Sequence, residues 1–209
     1  MENKGITTTS SKQELILNAA STIFLTHGFS AATTDMIQRE AGVSKKTLYT
    51  CFPSKESLFI SVIEHQCNMI SELFKTISAN GNIQKTLTDL GKSYLQLILS
   101  SPTLDLFRII IAETPRFPEI GHRFYMAGPK VVYERLAEYL TEASKNGEID
   151  IHSMGASSAS ILFIGMVRAE AHLEALTHYK SSPSEVQIEQ WVKMAVDTFL
   201  IAFKSKKQK

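Results

Sequence analysis

Residues 41–52 read AGVSKKTLYTCF. Gly42 followed by Ser44 is a stop signal and then a start signal. Glycine takes the left-handed backbone step that ends one helix, and a serine hydroxyl caps the next. Leu48 and Phe52, four residues apart, anchor a short helix inward. That leaves Lys45, Lys46, Thr47, Thr50 and one side of Tyr49 facing outward. From Ser44 to Lys55 there are three lysines and no acid, so this face carries a local charge that the rest of the chain hides.

Upstream, Thr33 or Thr34 caps a second short helix containing Met36, Ile37 and Ala41. Before it, a longer helix runs from about Ser11 to His27 and stops at Gly28. Its stripes are Leu15, Ala19 and Ile23, with Ile16, Ala20 and Phe24 beside them. Three helices joined by glycine-containing turns, the third presenting polar residues outward, are the plan of a helix-turn-helix module. Thr, Tyr and Lys on such a third helix suit base edges, thymine methyls and flanking phosphates in a major groove. Amides at the starts of the second and fourth helices, with the Thr34 hydroxyl and the Lys55 ammonium, suit further phosphates.

Downstream the 3.6-residue period continues and no alternating strand of useful length appears. Pro53 and Ser54 open a fourth helix with Leu58, Val62, Met69 and Leu73 on its buried side. Past Asn80-Gly81-Asn82, Ile83, Leu87, Leu90, Tyr94 and Leu97 mark a fifth. LDLFRIIIAE (104–113) is apolar nearly all round, and PRFP (115–118) ends it. One further helix reaches Asn146-Gly147, kinked near Gly128-Pro129. Two long helices, about 151–179 and 184–205, close the chain. The expected fold is all-α, with about nine helices. A three-helix helix-turn-helix DNA-binding domain (1–55) precedes a larger helical effector-binding and dimerisation domain (56–209).

The totals agree with this plan. The 209 residues are 44% hydrophobic and 21% charged, with a formal net charge of +1. Such a balance excludes a protein that coats nucleic acid over its whole surface, but not one with a local basic face. No apolar run reaches the roughly 20 residues of a membrane span, and MENKGITTTSS has no secretory apolar region. Cys51 and Cys67 are the only cysteines, so a reducing cytoplasm is the expected setting.

TTDMIQREAGVSKKTLYTCFPSKESLF (33–59) closely resembles the helix-turn-helix signature of the tetracycline-repressor (TetR/AcrR) family of transcription regulators. FLTHGFSAATT (24–34) is similar to that family's junction between its first two helices. IIIAETPRFPEIGHRFYMAGP (109–129) resembles the ligand domain of AefR-like regulators. The resemblance implies phosphate contacts by Thr34 and Lys55, with Thr33 beside them. It places Ser44 at the start of the recognition helix, Lys45, Lys46 and Thr47 in or beside the groove, and Tyr49 on the DNA backbone. Three positions depart from the pattern. Lys46 stands where a small residue is common, Thr50 and Cys51 where aromatic residues or histidine are common, and Gln38 where alanine is common.

A reader of one half-site binds weakly, so a homodimer is expected. The apolar stripe Val192, Val196, Phe199, Leu200 and Phe203, with Gly155 and Ala159 on the preceding helix, is the candidate interface. Completing an internal core is the alternative use of the same residues. Leu104, Phe107, Ile111, Phe117, Phe124 and Met166 are candidates to line an effector pocket, with Tyr94, Arg108, Tyr125, Arg168 and His172 as polar selectors. No cofactor or metal site is read from the spacing of His172, His178, Glu170 and Glu174, and no catalytic constellation is found, so an enzyme is not expected. The expected function is a repressor released from a palindromic operator in double-stranded DNA by a small, largely apolar effector. A helical protein-interaction module, with its basic 44–55 face on an acidic partner, is the alternative.

Overall fold

In a computed structural model of the chain, residues 5–76, 82–178 and 183–205 are described, with side chains for all but 5–10 and 69–76. Ten helices run through the described residues: α1 (Gly5–Ala31), α2 (Thr34–Ala41), α3 (Lys45–Cys51), α4 (Lys55–Thr76), α5 (Ile83–Ile98), α6 (Ser101–Glu113), α7 (Pro118–Ala127), α8 (Pro129–Lys145), α9 (Ala156–Thr177) and α10 (Glu185–Ala202). No strand occurs among them; one isolated antiparallel bridge joins Ile149 to Lys204. The all-α expectation holds. The tenth helix arises where one kinked helix was expected. Gly128 (φ −110°, ψ −89°) separates α7 from α8, and Pro129, which has no N–H to donate, sits at the first position of α8.

By internal packing the chain divides into two compact units. One comprises Met1–Asn68 with Asp105–Ala127, the other Met69–Leu104 with Gly128–Lys209. In the first, α1 reaches back to Gly5, earlier than its expected start, and Gly28 (φ 75°) breaks it before a last turn to Ala31. Ile16, Ala20 and Phe24 on α1 are fully buried, whereas Leu15 is 52% exposed. Ala19 of the adjacent row is also buried, at 7%, so the core-facing side of α1 is the Ile16 row together with Ala19, and Leu15 lies outside it. Phe24, Phe29 and Phe59 form an aromatic cluster with ring centroids 4.8–5.8 Å apart. Phe117 meets Phe29 edge-on at 5.2 Å. The Ser30 hydroxyl donates to Glu113 Oε1 at 2.7 Å, so the last residue of α6 is held to the end of α1. Leu58 and Val62 of α4 are buried as expected; Met69 and Leu73 lie outside the described side chains.

The second unit packs α5, α8, α9 and α10 around one core that includes Leu90, Leu136, Phe163, Val167, Val192 and Phe199. Phe163 meets Phe199 at 5.3 Å, nearly perpendicular. Where α5 crosses α10, the approach is close enough that a Cβ built on Gly91 would lie 2.8 Å from Val192 Cγ1. Lys92–Glu189 (2.8 Å) and Gln96–Glu185 (2.9 Å) flank that crossing. Ser184 and Gln187 cap α10 reciprocally, which is the sequence signature S-x-x-Q made real.

This core corrects the expected dimer interface. Ala159, Val192, Val196 and Phe199 are at most 1% exposed within the single chain, and Phe203 is 8% exposed. Leu200 packs against the same core, and Gly155 is the exposed N-cap of α9. The regular stripe of α10 is satisfied by its own unit. The apolar residues left outward are others: Ile161, Leu162 and Leu173 on α9, and Val186, Met194 and Ile201 on α10, each 39–77% exposed. Gly165, between the first two and Leu173, has nothing within 4 Å of an added Cβ.

Candidate nucleic-acid interface

Local chemistry fixes the α2–α3 pair before any tertiary contact does. Of the two threonines able to cap α2, Thr33 does so, accepting from Met36 N at 3.2 Å. Gly42 ends α2 in the left-handed conformation (φ 63°, ψ 30°), and Val43 N closes the turn on Gln38 O at 3.2 Å. Ser44 Oγ caps α3 by accepting from Thr47 N at 3.1 Å, while the two hydroxyls of Ser44 and Thr47 lie 2.9 Å apart. Phe52 N donates to Leu48 O at 2.8 Å, so α3 ends where its two anchors close. Leu48 is 1% exposed and Phe52 7%. Losing a serine or threonine cap costs about 1 kcal/mol, so Thr33 and Ser44 hold the geometry whatever else they touch.

What remains outward is Lys45, Lys46, Thr50 and Tyr49, the last 41% exposed. The Tyr49 and Thr34 hydroxyls are 3.2 Å apart. Two residues expected on the DNA backbone are thus brought together from α3 and α2. Thr50 Oγ1 donates to Lys46 O at 2.8 Å, which leaves its oxygen an acceptor and its methyl an apolar contact. Lys45 pairs with Asp35 at 3.4 Å, both well exposed. A pair so exposed is worth about 0–1 kcal/mol, so it aims the Lys45 ammonium without holding it. Asp35 in the first turn of α2 and Glu56 in that of α4 each set a negative charge near amides expected to receive phosphates.

Lys55 is placed differently from expectation. Its ammonium donates to the carbonyls of Phe29 (2.8 Å), Ala32 (3.0 Å) and Ser30 (3.4 Å) and lies 4.5 Å over the Phe29 ring. An ammonium has three donors, and all three close the end of α1. In this arrangement Lys55 clamps the helix-turn-helix to the aromatic cluster instead of offering an N–H to a phosphate. No sequence signal pointed there, because the partners lie 23–26 residues away.

Gln38, unexplained by sequence, has its Oε1 buried with no hydrogen-bond partner among the described residues. A carbonyl oxygen withdrawn from water unpaired costs about 1–3 kcal/mol. Gln38→Ala removes that oxygen and favours helix besides. It is expected to leave stability unchanged or raise it by about 1 kcal/mol in urea unfolding. A loss of similar size would show that the amide makes a contact worth keeping.

The residues expected around an effector fall in both units. In the first, Phe107 and Phe124 meet edge-on at 5.5 Å, Arg108 pairs with Asp105 at 2.7 Å, and Phe117 belongs to the cluster around Phe29. Ile111 and Tyr125 are 56% and 49% exposed. In the second, Leu104 is buried and Met166 packs against the core. Arg168 Nη2 lies 2.9 Å from His172 Nδ1. Burial, and then the Arg168 charge, push the His172 pKa down to about 4, so the ring is neutral at pH 7 and its Nδ1 accepts from the guanidinium. Burial raises the Tyr94 hydroxyl to about 12, with Arg168 near enough to oppose the shift. Cys67 is likewise raised to about 12 by burial and then by Glu64, which keeps that thiol unreactive.

Residues 16–62 match the family model described as bacterial regulatory proteins, tetR family. Residues 85–205, more than half the chain, match that of the AefR-like transcriptional repressor, C-terminal domain. The chain belongs to the TetR family. It is a transcription regulator with a DNA-binding helix-turn-helix, not an enzyme. Flavonoid-responsive Regulator FrrA is 32% identical, with 95% of this chain and 100% of that chain covered at a TM-score of 0.80. A TetR-family regulator structure from Mesorhizobium loti shares the fold at a TM-score of 0.86, with 23% identity over 97% of this chain and 99% of that one. The HTH-type transcriptional activator FasR of Mycolicibacterium smegmatis is 28% identical over 157 residues, 73% of this chain. The match spans 65% of FasR's own length. No single helix among the described residues is long and apolar enough to cross a membrane.

Proposed function

We propose that this TetR-family regulator is a cytoplasmic, ligand-responsive repressor. It binds a palindromic operator as a homodimer and releases it when a small, largely apolar effector binds. Residues 1–55 read DNA, and residues 56–209 bind the effector and dimerise. The observation that carries the reading is α3 itself. Caps at Ser44 and Phe52 lock it, its apolar side is buried, and Lys45, Lys46, Thr47, Tyr49 and Thr50 run along the side that enters the groove. The Thr34–Tyr49 hydroxyl pair grips the flanking phosphate. The neighbour FrrA bears a ligand in its name and FasR bears the word activator. The sign of regulation follows from where the operator lies relative to the promoter.

Two copies meet through the outward stripes of α9 and α10, Ile161, Leu162 and Leu173 beside Met194 and Ile201. Gly165 lets the helices approach. Two recognition helices about 34–36 Å apart then fit successive major grooves on one face of DNA. An effector that prefers a conformer with another spacing lowers operator affinity by no more than its own preference.

The test is a footprint of the protein on DNA flanking its own gene at two salt concentrations. A protected palindrome is expected, weakened by salt. Lys46→Ala should lower affinity roughly tenfold and reduce the salt slope by about one, and Tyr49→Ala should weaken every sequence alike. Background binding with no protected site, unchanged by either substitution, would sink the operator reading in favour of an acidic protein partner for the same face.

A further inference from the structure

Lys55 is the first residue of α4, where a helix presents the positive end of its dipole. The start of α4 is capped without that charge. Ser57 N donates to Ser54 Oγ at 3.0 Å, and Ser54 N donates to Ser57 Oγ at 3.1 Å. The half-buried ammonium reaches instead for the opposite pole of another helix. The carbonyls that end a helix have no donors within it. Phe29 O, Ser30 O and Ala32 O, at the end of α1, take the Lys55 Nζ–H groups. Phe29 and Ala32 are each 1% exposed, so the clamp bears on the core of this unit and not on a loose surface. Ala32 adjoins Thr33, the cap of α2, and next comes Thr34, whose hydroxyl meets that of Tyr49. The clamped stretch therefore runs directly into the hydroxyl pair expected on the DNA backbone.

We propose that Lys55 is a positioning residue for DNA binding. Its ammonium sets the start of α2, and with it the placement of Thr34 and Tyr49, without touching a phosphate. The inference rests on the DNA-binding reading of α2 and α3 above. To meet a phosphate, the ammonium would have to leave three carbonyls and the Phe29 ring 4.5 Å beneath it, and the end of α1 would lose its donors. A clamp and a phosphate contact differ in one measurable way. A cation that neutralises a phosphate releases counterions, and its removal flattens the slope of log affinity against log salt by about 0.9. A cation spent inside the protein releases none.

The full chain is titrated, by fluorescence anisotropy over a series of salt concentrations, into the duplex protected in the footprint and into a mixed-sequence duplex of equal length. Lys55→Met should lower affinity for the protected duplex roughly tenfold, the worth of one misplaced charge-assisted hydrogen bond, and leave the salt slope unchanged. Lys46→Ala, which removes an outward cation, flattens the slope by about one and serves as the contrast. Thr34→Ala should cost less in the Lys55→Met background than in the parent, since a threonine already misplaced has less to lose. Lys55→Arg, which keeps donors for the carbonyls, should recover most of the affinity. Circular dichroism checks the fold of each variant. Should Lys55→Met lose helix content, Lys55→Gln, uncharged but still a donor, carries the slope comparison. A slope flattened by about 0.9 at Lys55 makes it a phosphate ligand and overturns the inference. Unchanged affinity, or strict additivity with Thr34→Ala, overturns it too. If the footprint protects no site, the slope on the mixed-sequence duplex still decides between clamp and phosphate, so failure of the operator reading is told apart from failure of this one.

Discussion

Gly91→Val should lower the chain's stability by roughly 3 kcal/mol or more, and Val192→Ala in the same chain should recover part of the loss. A Cβ at residue 91 would stand 2.8 Å from Val192 Cγ1 and 3.6 Å from Val167 Cγ2. Both valines are fully buried, and a β-branched side chain has few rotamers into which to retreat. Replacing a mid-helix glycine gains at most about 1 kcal/mol of helix propensity, and less for valine. Overpacking a close-packed core by one group costs about 1–3 kcal/mol, and valine adds three carbons, so the clash decides the sign. Thermal or urea unfolding of the single and double variants measures it. The coupling between positions 91 and 192 is the decisive quantity; strict additivity would mean that α5 and α10 do not approach as closely as described.

The close approach at Gly91 was not legible in the sequence, where the glycine reads as a mild defect inside a strong helix. The helix-turn-helix was, and the contrast has a physical cause. Thr33, Gly42, Ser44 and Pro53 act on neighbours within four residues, so caps and stops can be read from a single line of text. Periodicity shows equally well that α10 hides the row Val192, Val196 and Phe199. It carries no information on what hides it, and the row covered by the chain's own α5 and α9 was therefore assigned to a second copy. Lys55 is the same lesson in the site. Its charge and position suited a phosphate, but its carbonyl partners at Phe29, Ser30 and Ala32 follow from how α1 ends against α4. Of the polar selectors, Tyr94, Arg168 and His172 come together because α5 and α9 pack in one core. Arg108, with its charge already met by Asp105, and Tyr125, outward on α7, do not join them. The break in α9 at Ala169 (φ 31°) has no signal at all, since alanine is the strongest helix former.

Charge on the outward stripes of α9 and α10 is the other change of large expected effect. Ile161 and Met194 are 53% and 63% exposed in the single chain, so glutamate at either site costs the isolated fold little. If these stripes pair with a second copy, Ile161→Glu with Met194→Glu places four carboxylates in one apolar interface. Burying unpaired charge costs several kcal/mol per ion, and four such charges in one contact oppose association strongly. The double variant should run in light scattering at 23.3 kDa where the parent runs at twice that mass, with unchanged helix content. Operator affinity should fall at least 100-fold, because each freed subunit reads one half-site and the second contact is no longer made at high effective concentration. Val196→Thr is the contrast. It perturbs a residue 1% exposed inside the protomer and should reduce stability while leaving the dimer mass in place. The opposite pattern, with Val196→Thr dissociating the dimer and the two glutamates tolerated, would return the interface to the row first read from the sequence.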